Sequence, residues 1–302
     1  GDHRAVFEKP ADWRSRRMQA LEGELAERGM RWVALRYRAQ PRWLAVFVNV
    51  AAGIAAARRL VRRERVQIVH PRSYVPAVIA WLMKRRFGVR LVFDTKGFWV
   101  DERVQAGFWS AGSLPYRLAK RVEQRLLEDA DEIVTLTERG RQLIEQWPGL
   151  RDPRVTAVPT CVDLDRFDGP RDRPAPDGSP VFIYTGSLGR YYRLDEMLRF
   201  IRRARMRVPR ARFVVVTPQR EEAAGAVDRA GLPGEAVTVA SAAYADVPAW
   251  LAGSHAGLAF YTPGGFRRGT CPTKIGEYLA MGVPVVVNAG LGDVAELVQG
   301  RR

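Results

Sequence analysis

Residues 271–287 read Cys-Pro-Thr-Lys-Ile-Gly-Glu-Tyr-Leu-Ala-Met-Gly-Val-Pro-Val-Val-Val, a pattern that predicts a short buried helix followed by a buried strand. Pro272 suits the first position of a helix, and Gly282 suits its exit before the valines begin. Lys274 and Glu277 lie three residues apart on this helix, beside a loop that is rich in Gly and Arg. They are either a solvated ion pair or part of a binding site.

The rest of the chain repeats this alternation of short β-branched runs and longer helical patterns. The predicted strands cover 31–35, 66–70, 90–94, 132–137, 154–158, 181–186, 212–217, 237–241, 256–261 and 284–288. Representative predicted helices cover 12–28, 116–129, 193–207 and 293–298. Most of the strands are continuously apolar, which a sheet covered on both faces requires. The βαβα order occurs twice and predicts an α/β fold with two doubly wound, Rossmann-like domains.

A break in composition divides the chain into two halves. Residues 163–180 are dense in Pro, Gly and charge, which is typical of a linker. We therefore predict an N-terminal domain over 1–162 and a C-terminal domain over 181–302. Two such domains leave a central cleft that faces the carboxyl ends of both sheets, where ligands bind in open α/β folds.

The chain of 302 residues is basic, with a formal net charge of +16. Residues 1–160 carry 30 Lys and Arg against 18 Asp and Glu, a net of +12, and the remainder carries +4. A basic half favours a polyanionic partner, namely nucleic acid, an acidic membrane surface or a phosphorylated substrate. The alternative is a surface biased toward arginine, which supplies 44 of the 49 basic residues.

The two cysteines, Cys161 and Cys271, lack metal-ligand spacing, so we expect free thiols in a reducing compartment. The start of the sequence lacks the apolar segment of a secretory signal. These features predict a cytoplasmic location, and any membrane contact would then be at the inner face.

The second half opens with a strand that runs into Gly186-Ser187-Leu188-Gly189-Arg190 before a helix. Glycines at such a turn let the backbone approach a ligand, and free amides at a helix start attract an anion. Arg190 adds a guanidinium that suits phosphate oxygens. The alternative is an ordinary tight turn, because the loop lacks the Gly-Lys-Ser/Thr of a Walker loop and the third glycine of the dinucleotide fingerprint.

Residues 264–277 form a second candidate, in which a strand again leads through a Gly-rich loop into a helix start. Two anion-receptive helix starts in one domain suit a diphosphate. Glu277, one turn into the helix, is placed to accept two hydrogen bonds from a ribose diol. The alternative is an i,i+3 pair with Lys274, worth only ~0.2–0.5 kcal/mol.

Several motifs resemble those of glycosyltransferase family 4, whose members have the GT-B fold. The fullest match is Pro-Thr-Lys-Ile-Gly-Glu-Tyr-Leu-Ala-Met-Gly-Val-Pro-Val-Val, and Tyr-Thr-Gly-Ser-Leu-Gly-Arg at 184–190 resembles the first strand and loop of the family's donor domain. Further matches lie at 68–74, 92–103, 130–137 and 158–167. They occur in the family's order along nearly the whole chain.

The resemblance implies an enzyme that moves a sugar from a nucleoside diphosphate-sugar of UDP or GDP type to a glycan or lipid-linked acceptor, with retention. It implies that Glu277 binds the donor ribose, that Arg190 lies near the diphosphate, and that Lys274 lies near the phosphates or the sugar. The implied donor-binding residues are Gly186, Ser187, Gly189, Arg190, Thr273, Lys274 and Glu277. Their positive charge and amides would stabilise the departing diphosphate, and no obligatory cofactor or cation is expected.

The sequence departs from the family pattern in three respects. Gly269 stands where the family usually has a second glutamate, eight residues before Glu277, so contacts to the sugar hydroxyls must come from elsewhere. Thr160-Cys161 replaces the usual Asn-Gly at the domain crossing. Many members place a histidine after the strand that here ends in Asp94.

Polar residues near the end of that strand are the acceptor-side candidates. We predict catalytic roles for Asp94, Lys96 and Glu102. For Glu102, the alternative is a plain surface ion pair with Arg103, because polar clusters of this kind are often structural.

One segment of the first half bears on partners. Within 41–65, apolar residues fall at helical spacing and are followed by five arginines, Arg58, Arg59, Arg62, Arg63 and Arg65. We favour a core helix, because the apolar face is continuous. The alternative is a basic amphipathic helix on an anionic membrane, since the apolar run is shorter than the ~20 residues of a span.

Both ends of the chain are expected to be truncated relative to a GT-B protein, because no strand and glycine loop precede Asp12 and few elements follow Val298. A nucleotide-sugar epimerase of the same fold is an alternative that would isomerise the donor without an acceptor. A nucleic-acid-binding protein would use the basic half. However, the sequence lacks zinc-finger spacing, an RNP motif and a basic recognition helix, so no nucleic acid partner is expected.

Overall fold

The computed structural model describes residues 16–169 and 178–299. The α-helices are α1 (Arg16–Glu27), α2 (Arg42–Arg63), α3 (Tyr74–Phe87), α4 (Trp99–Gln105), α5 (Leu114–Asp129), α6 (Glu138–Glu145), α7 (Leu194–Arg207), α8 (Arg220–Ala230), α9 (Val247–Ala252), α10 (Thr273–Ala280) and α11 (Val294–Gln299). The strands are β1 (Ile68–Val69), β2 (Arg90–Asp94), β3 (Glu132–Thr135), β4 (Val155–Ala157), β5 (Val181–Thr185), β6 (Arg212–Val216), β7 (Val237–Ala240), β8 (Ala256–Ala259) and β9 (Val285–Val287).

The chain falls into two compact units. The first consists of the chain up to Phe93 together with Asp129–Asp131, and the second contains everything else. This division is not the one predicted from composition, and the predicted domain boundaries remain a prediction.

In the first unit, β1 pairs in parallel with β2, and α2 packs along α3. The core between these elements is formed by Val61, Met83 and Val89. Helix α3 ends at Gly88, whose left-handed conformation (φ +70°) lets its N–H bond to the carbonyl of Lys84. Most of the buried apolar residues of this unit lie on α3 and β2, whereas only Ala45 and Val61 are buried among the described apolar side chains of α2.

The second unit contains two parallel arrangements, the pair β3–β4 and a five-stranded sheet in the order β7-β6-β5-β8-β9. Every neighbouring pair in the five-stranded sheet is parallel. The chain order reverses direction between β5 and β8, which is the point where open α/β sheets place their ligands. The loops that follow these two strands are therefore brought together at one edge.

Helices cover both faces of this sheet. Ile183 of β5 packs with Leu251 of α9 and Tyr278 of α10, whereas its neighbour Tyr184 packs with Met197 of α7 and other residues of α7 and α8. Adjacent residues of a strand point to opposite faces, so the two sets of helices lie on opposite sides. The continuously apolar strands thus have the doubly covered environment that they predicted.

Helix α6 begins with two side-chain caps. Thr137 accepts a hydrogen bond from the Gly140 amide at 2.9 Å, as expected for an N-terminal cap. The carboxylate of Asp293, just before α11, accepts hydrogen bonds from the Glu138 and Arg139 amides. These bonds satisfy the first turn of α6 and tie it to the segment that precedes α11.

The predicted elements agree with the structure in all but a few places. The predicted strand at 31–35 is wrong: these residues form no strand and pair with none, and Val33 and Leu35 are exposed. The predicted helix at 12–28 is confirmed from Arg16 onward, and its first residues lie outside the described part of the chain.

The expectation of a core helix within 41–65 is wrong for most of α2. Leu44–Arg63 is the one described helix that is long and apolar enough to cross a membrane by length and composition, and only 11% of the stretch is buried. Its length also corrects the expectation that the segment is too short. Core helices of soluble proteins and signal sequences share this length and composition.

Candidate functional site

The two glycine loops identified in the sequence follow β5 and β8 and are hydrogen-bonded to each other. The Thr262 amide donates to the carbonyl of Tyr191 at 3.0 Å, and the Thr262 hydroxyl donates to the carbonyl of Arg190 at 3.0 Å. The loop after β8 then forms a 3-10 turn over Gly265–Gly269 before α10 begins. The sheet edge therefore carries a continuous surface made by both loops and the start of α10.

Lys274, in the first turn of α10, is buried with 8% of its surface exposed. Its ammonium lies 4.0 Å from the centre of the Tyr184 ring and 4.1 Å from that of Tyr192. Within the described part of the chain, the ammonium has no hydrogen-bond partner. Burial lowers the pKa of Lys274 to about 7, and the negative charge of Glu277 opposes this shift. The two rings stabilise a cation at their faces, yet the three N–H donors are left unused.

Gly186 makes room for this ammonium. A Cβ atom at this position would lie 3.0 Å from Lys274 Nζ, and the backbone is at φ +118°, which only glycine adopts without strain. The sequence indicated a glycine that lets the backbone approach a ligand. In the structure, the group that approaches Gly186 is a side chain of the same protein.

Glu277 lies one turn after Lys274 and is also buried, with 6% of its surface exposed. The hydroxyl of Tyr244 donates to Glu277 Oε1 at 2.8 Å. Burial raises the pKa of Glu277, while the hydrogen bond from Tyr244 and the charge of Lys274 oppose the increase. Because both Lys274 and Glu277 are buried, the alternative of a solvated surface pair is excluded.

The remaining predicted donor-side residues lie around these two. Ser187, Gly189 and Thr273 are exposed, and the Ser187 carbonyl accepts a hydrogen bond from the Tyr184 hydroxyl at 2.6 Å. Arg190 is exposed too, but its guanidinium donates to the Ala106 carbonyl and lies over the Phe108 ring. Its proximity to a diphosphate therefore stays a prediction.

The acceptor-side candidates come together after β2. Asp94 is buried and accepts a hydrogen bond from the Lys96 amide at 3.0 Å, so it shapes the turn that follows the strand. Lys96 is exposed and has a left-handed backbone (φ +58°). Glu102, on α4, is half-buried near Gly97.

Glu102 faces an arginine that sequence reasoning did not single out. Burial raises the pKa of Glu102, and the charge of Arg267 is the strongest opposing influence. Arg267, in the turn after β8, is 6% exposed, and its guanidinium lies 4.7 Å from the centre of the Tyr191 ring. Arg103 stacks on Trp99 and Phe108 instead, so the alternative of a Glu102–Arg103 pair is not the arrangement observed.

Gly269 has no room for a side chain. A Cβ atom there would lie 2.8 Å from Cε2 of Phe98, a buried residue whose ring stacks on Trp147. The space that a glutamate at this position would need is filled by an aromatic ring. The glycine at 269, where the family usually has a glutamate, is therefore coupled by packing to the phenylalanine at 98.

Sequence reasoning missed four residues of this site, namely Tyr184, Tyr192, Tyr244 and Arg267. In the sequence, each of these tyrosines looks like an ordinary strand or loop residue. The residues around Tyr244 give no sign that its hydroxyl contacts a carboxylate 33 positions away. The doublet Arg267-Arg268 beside glycines was a visible signal.

Among the described residues, no group of three or more His, Cys, Asp and Glu side chains is arranged to hold a metal ion. Asp163 and Asp165 have the spacing of a metal-binding pair, but Asp163 accepts a hydrogen bond from the Arg166 amide and pairs with the Arg166 guanidinium at 3.8 Å. Asp163 therefore stabilises a turn.

Sequence models of two families match the chain. Glycosyltransferase Family 4 matches residues 14–166, and Glycosyl transferases group 1 matches residues 179–302.

Two curated relatives resemble part of the chain. D-inositol 3-phosphate glycosyltransferase of Geodermatophilus obscurus is 31% identical over 137 residues, which are 42% of this chain and 29% of that protein. The enzyme of the same name from Nocardiopsis dassonvillei is 28% identical over 140 residues, 44% of this chain and 32% of its own length. The chain thus spans about a third of the length of these relatives.

Solved structures share the fold. Anabaena Alr3699/HepE in complex with UDP-glucose has a TM-score of 0.65 at 15% identity and covers 93% of this chain and 72% of its own. Sucrose-phosphate synthase from Thermosynechococcus elongatus has a TM-score of 0.64 at 16% identity and covers 86% and 66%. These similarities confirm the predicted α/β fold class with parallel sheets, that of GT-B glycosyltransferases.

The family model covers more than half of the chain, the second model covers most of the remainder, and the fold agrees with both. The predicted resemblance is confirmed: the chain belongs to Glycosyltransferase Family 4.

Proposed function

We propose that this protein transfers a sugar from a nucleoside diphosphate-sugar to a glycan or lipid-linked acceptor, with retention of the anomeric configuration. The observation that carries the proposal is the pair of opposite charges buried at the start of α10. Lys274 offers an ammonium that donates to no described residue, and Glu277 offers a carboxylate one turn later, at the sheet's switch point. A ligand with an anion and a diol at that spacing satisfies both.

The anion in this proposal is the diphosphate. A buried ammonium without hydrogen bonds loses much of its solvation, and an anionic ligand restores it. The diphosphate also raises the pKa of Lys274, so that the charged form is present when the bond to the sugar breaks. Fixed positive charge at the leaving diphosphate lowers the barrier to transfer.

The diol in this proposal is the ribose. The Glu277 carboxylate has acceptor sites beyond the one used by Tyr244, and two ribose hydroxyls fill them. We favour UDP over GDP, because Alr3699/HepE has been solved with UDP-glucose and with UDP. The D-inositol 3-phosphate glycosyltransferases add a precedent for a polyol phosphate as acceptor.

The acceptor in this proposal is activated by Glu102. Its half-buried carboxylate, on α4, interacts with the positive charges of Arg267, in the turn after β8, and of Lys96. A carboxylate in such surroundings accepts a proton or a hydrogen bond from an acceptor hydroxyl. Asp94 holds the preceding turn in place through the Lys96 amide.

The location in this proposal is the inner face of a membrane. The first half of α2 exposes Val46 and Phe47, with 61% and 70% of their surfaces accessible, and its last turns expose Arg58, Arg59, Arg62 and Arg63. Apolar side chains beside clustered arginines suit an anionic lipid surface. Such a surface would also present a lipid-linked acceptor.

The experiment is a thermal-shift screen of UDP-, GDP- and ADP-sugars, followed by calorimetry with the matching nucleoside diphosphate. A ligand at ~100 times its dissociation constant stabilises the fold by ~2.7 kcal/mol. Glu277→Ala should weaken binding at least tenfold while the protein stays folded, and Glu221→Ala on the exposed face of α8 should not. Unchanged affinity in Glu277→Ala would exclude the assignment.

Product analysis separates this proposal from the epimerase alternative. NMR of the reaction with a membrane lipid extract should show a new glycoside with the donor's anomeric configuration. An isomerised nucleotide-sugar formed without any acceptor would support the epimerase.

A further inference from the structure

We propose that Tyr244 is a positioning residue, which fixes the Glu277 carboxylate in the orientation that a ribose diol requires. This inference rests on the proposed function of the same site. The direct evidence is the hydrogen bond of 2.8 Å from the Tyr244 hydroxyl to Glu277 Oε1. Tyr244 would act through Glu277 and need not touch the reacting atoms.

Tyr244 is itself held in place from two sides. It opens the 3-10 turn Tyr244–Asp246 that follows β7. The guanidinium of Arg166 lies over its ring at 5.2 Å, and the ring of Phe167, a fully buried residue, lies at 5.7 Å. A ring braced in this way presents its hydroxyl in one direction. Tyr244 remains partly accessible, since 41% of its surface is exposed.

Fixing the carboxylate matters because its terminal torsion is broad. A carboxylate without a partner turns freely about that torsion, and a bidentate ligand must stop this rotation when it binds. One hydrogen bond to Oε1 stops it in advance. The oxygens retain enough lone pairs for two ribose hydroxyls, so Tyr244 orients the group without competing for it.

Tyr244 also favours the ionised form that accepts hydrogen bonds. Burial raises the pKa of Glu277, and the hydrogen bond from Tyr244 is the first of the influences that lower it. The other charged or titratable groups nearby are Lys274 on the same helix, Tyr278 beside it, and Arg166 and Asp163 on the segment that braces Tyr244. Removing the Tyr244 hydroxyl therefore raises the pKa of Glu277 further.

The test is calorimetry of UDP binding to wild type, Tyr244→Phe and Glu277→Gln between about pH 5 and about pH 8. If the screen selects another nucleoside diphosphate, that compound replaces UDP. Tyr244→Phe should bind about three- to tenfold more weakly at neutral pH, and the deficit should grow as the pH falls. The ionisation of UDP affects the dissociation constants of the variant and of wild type equally, so it cancels in their ratio at each pH. Tyr37→Phe, which removes the hydroxyl of an exposed tyrosine in the first unit, should bind like wild type.

The double variant distinguishes positioning from general destabilisation. In the Glu277→Ala background, Tyr244→Phe should cause little further loss, because the side chain that accepts from the Tyr244 hydroxyl is gone. If wild type binds UDP and Glu277→Gln weakens it, but Tyr244→Phe binds like wild type at every pH, only the assignment of Tyr244 fails. If wild type binds no nucleoside diphosphate, the proposed function fails and this inference with it.

Discussion

Lys274 and Tyr184 lie in contact, with the ammonium 4.0 Å from the centre of the aromatic ring. The ammonium donates no hydrogen bond to the Tyr184 hydroxyl or to any other described group. The Tyr184 hydroxyl donates to the Ser187 carbonyl, and Lys274 contacts only the face of the Tyr184 ring. The contact stabilises a charge without satisfying its donors, so the free protein keeps a costly group in its core.

Lys274→Met should therefore raise stability while it removes donor binding. The free energy of unfolding should rise by about 1–4 kcal/mol, because the desolvation cost of the buried ammonium exceeds its attraction to Glu277, which is why the pKa of Lys274 is lowered. The gain should be largest below about pH 7 and should shrink toward pH 10.5, since the pKa of Lys274 is lowered from 10.5 to about 7 in the folded chain. Urea unfolding measures the gain, and calorimetry with UDP measures the loss. Lys120→Met, which breaks an ion pair with Glu123, should destabilise instead.

Glu102→Gln should slow transfer and leave donor binding intact. Loss of a carboxylate that accepts a proton from the acceptor costs about 10²–10⁴ in rate, whereas the donor contacts that we propose at α10 do not include this residue. UDP release in the presence of a lipid extract measures the rate, and calorimetry measures the affinity. In wild type, activity should fall at acidic pH, where Glu102 with its raised pKa becomes protonated. Equal losses of rate and affinity would contradict an acceptor-side role, and Glu221→Gln is the matched control.

Gly269→Ala should destabilise the protein, because its methyl group would lie 2.8 Å from the Phe98 ring. Overpacking of this kind costs about 1–3 kcal/mol. Thermal unfolding of Gly269→Ala, of Phe98→Leu and of the double variant measures it. The pair should lose less stability than the sum of its parts, and strict additivity would show that the two positions are independent.

The double substitution Arg58→Glu and Arg62→Glu, which reverses two charges, should abolish sedimentation with anionic vesicles. Each arginine near an anionic surface contributes about 1 kcal/mol, and a reversal also introduces repulsion. Arg202→Glu with Arg203→Glu makes the same change on α7 and should leave sedimentation unaffected. Phe47→Ser should reduce binding to all vesicles, because it removes an exposed apolar side chain. If wild type shows no preference for anionic over neutral vesicles, the membrane assignment is wrong.

The sequence predicted the second-half strands well, because each is a short apolar run that a doubly covered sheet requires. The failure at 31–35 has a physical reason. Those residues have β-forming side chains, but a strand exists only where a partner strand accepts its hydrogen bonds, and none does so there. Helix α2 was predicted correctly as a helix, but its low burial was not. Periodicity of apolar residues predicts a helix and does not show which of its faces other elements cover.

The candidate site was predictable in part. Glu277 and Lys274 were identified by motif, yet their burial depends on Tyr184, Tyr192 and Tyr244, which come from other parts of the chain. Local spacing carries no information about such contacts. The glycine at 269 was visible as a departure, whereas the ring that fills its space became apparent only in the fold.

The packing of the Phe98 ring against Gly269 restricts which substitutions these two positions can accept during evolution. A carboxylate at 269 cannot be accommodated while a phenylalanine stacked on Trp147 occupies its place. A lineage that gained a glutamate there would first have to replace Phe98 with a smaller residue, and would pass through an intermediate with a hole beside Trp147. The order of the two substitutions is thus imposed by packing, and a library that varies only position 269 would not recover the acidic side chain.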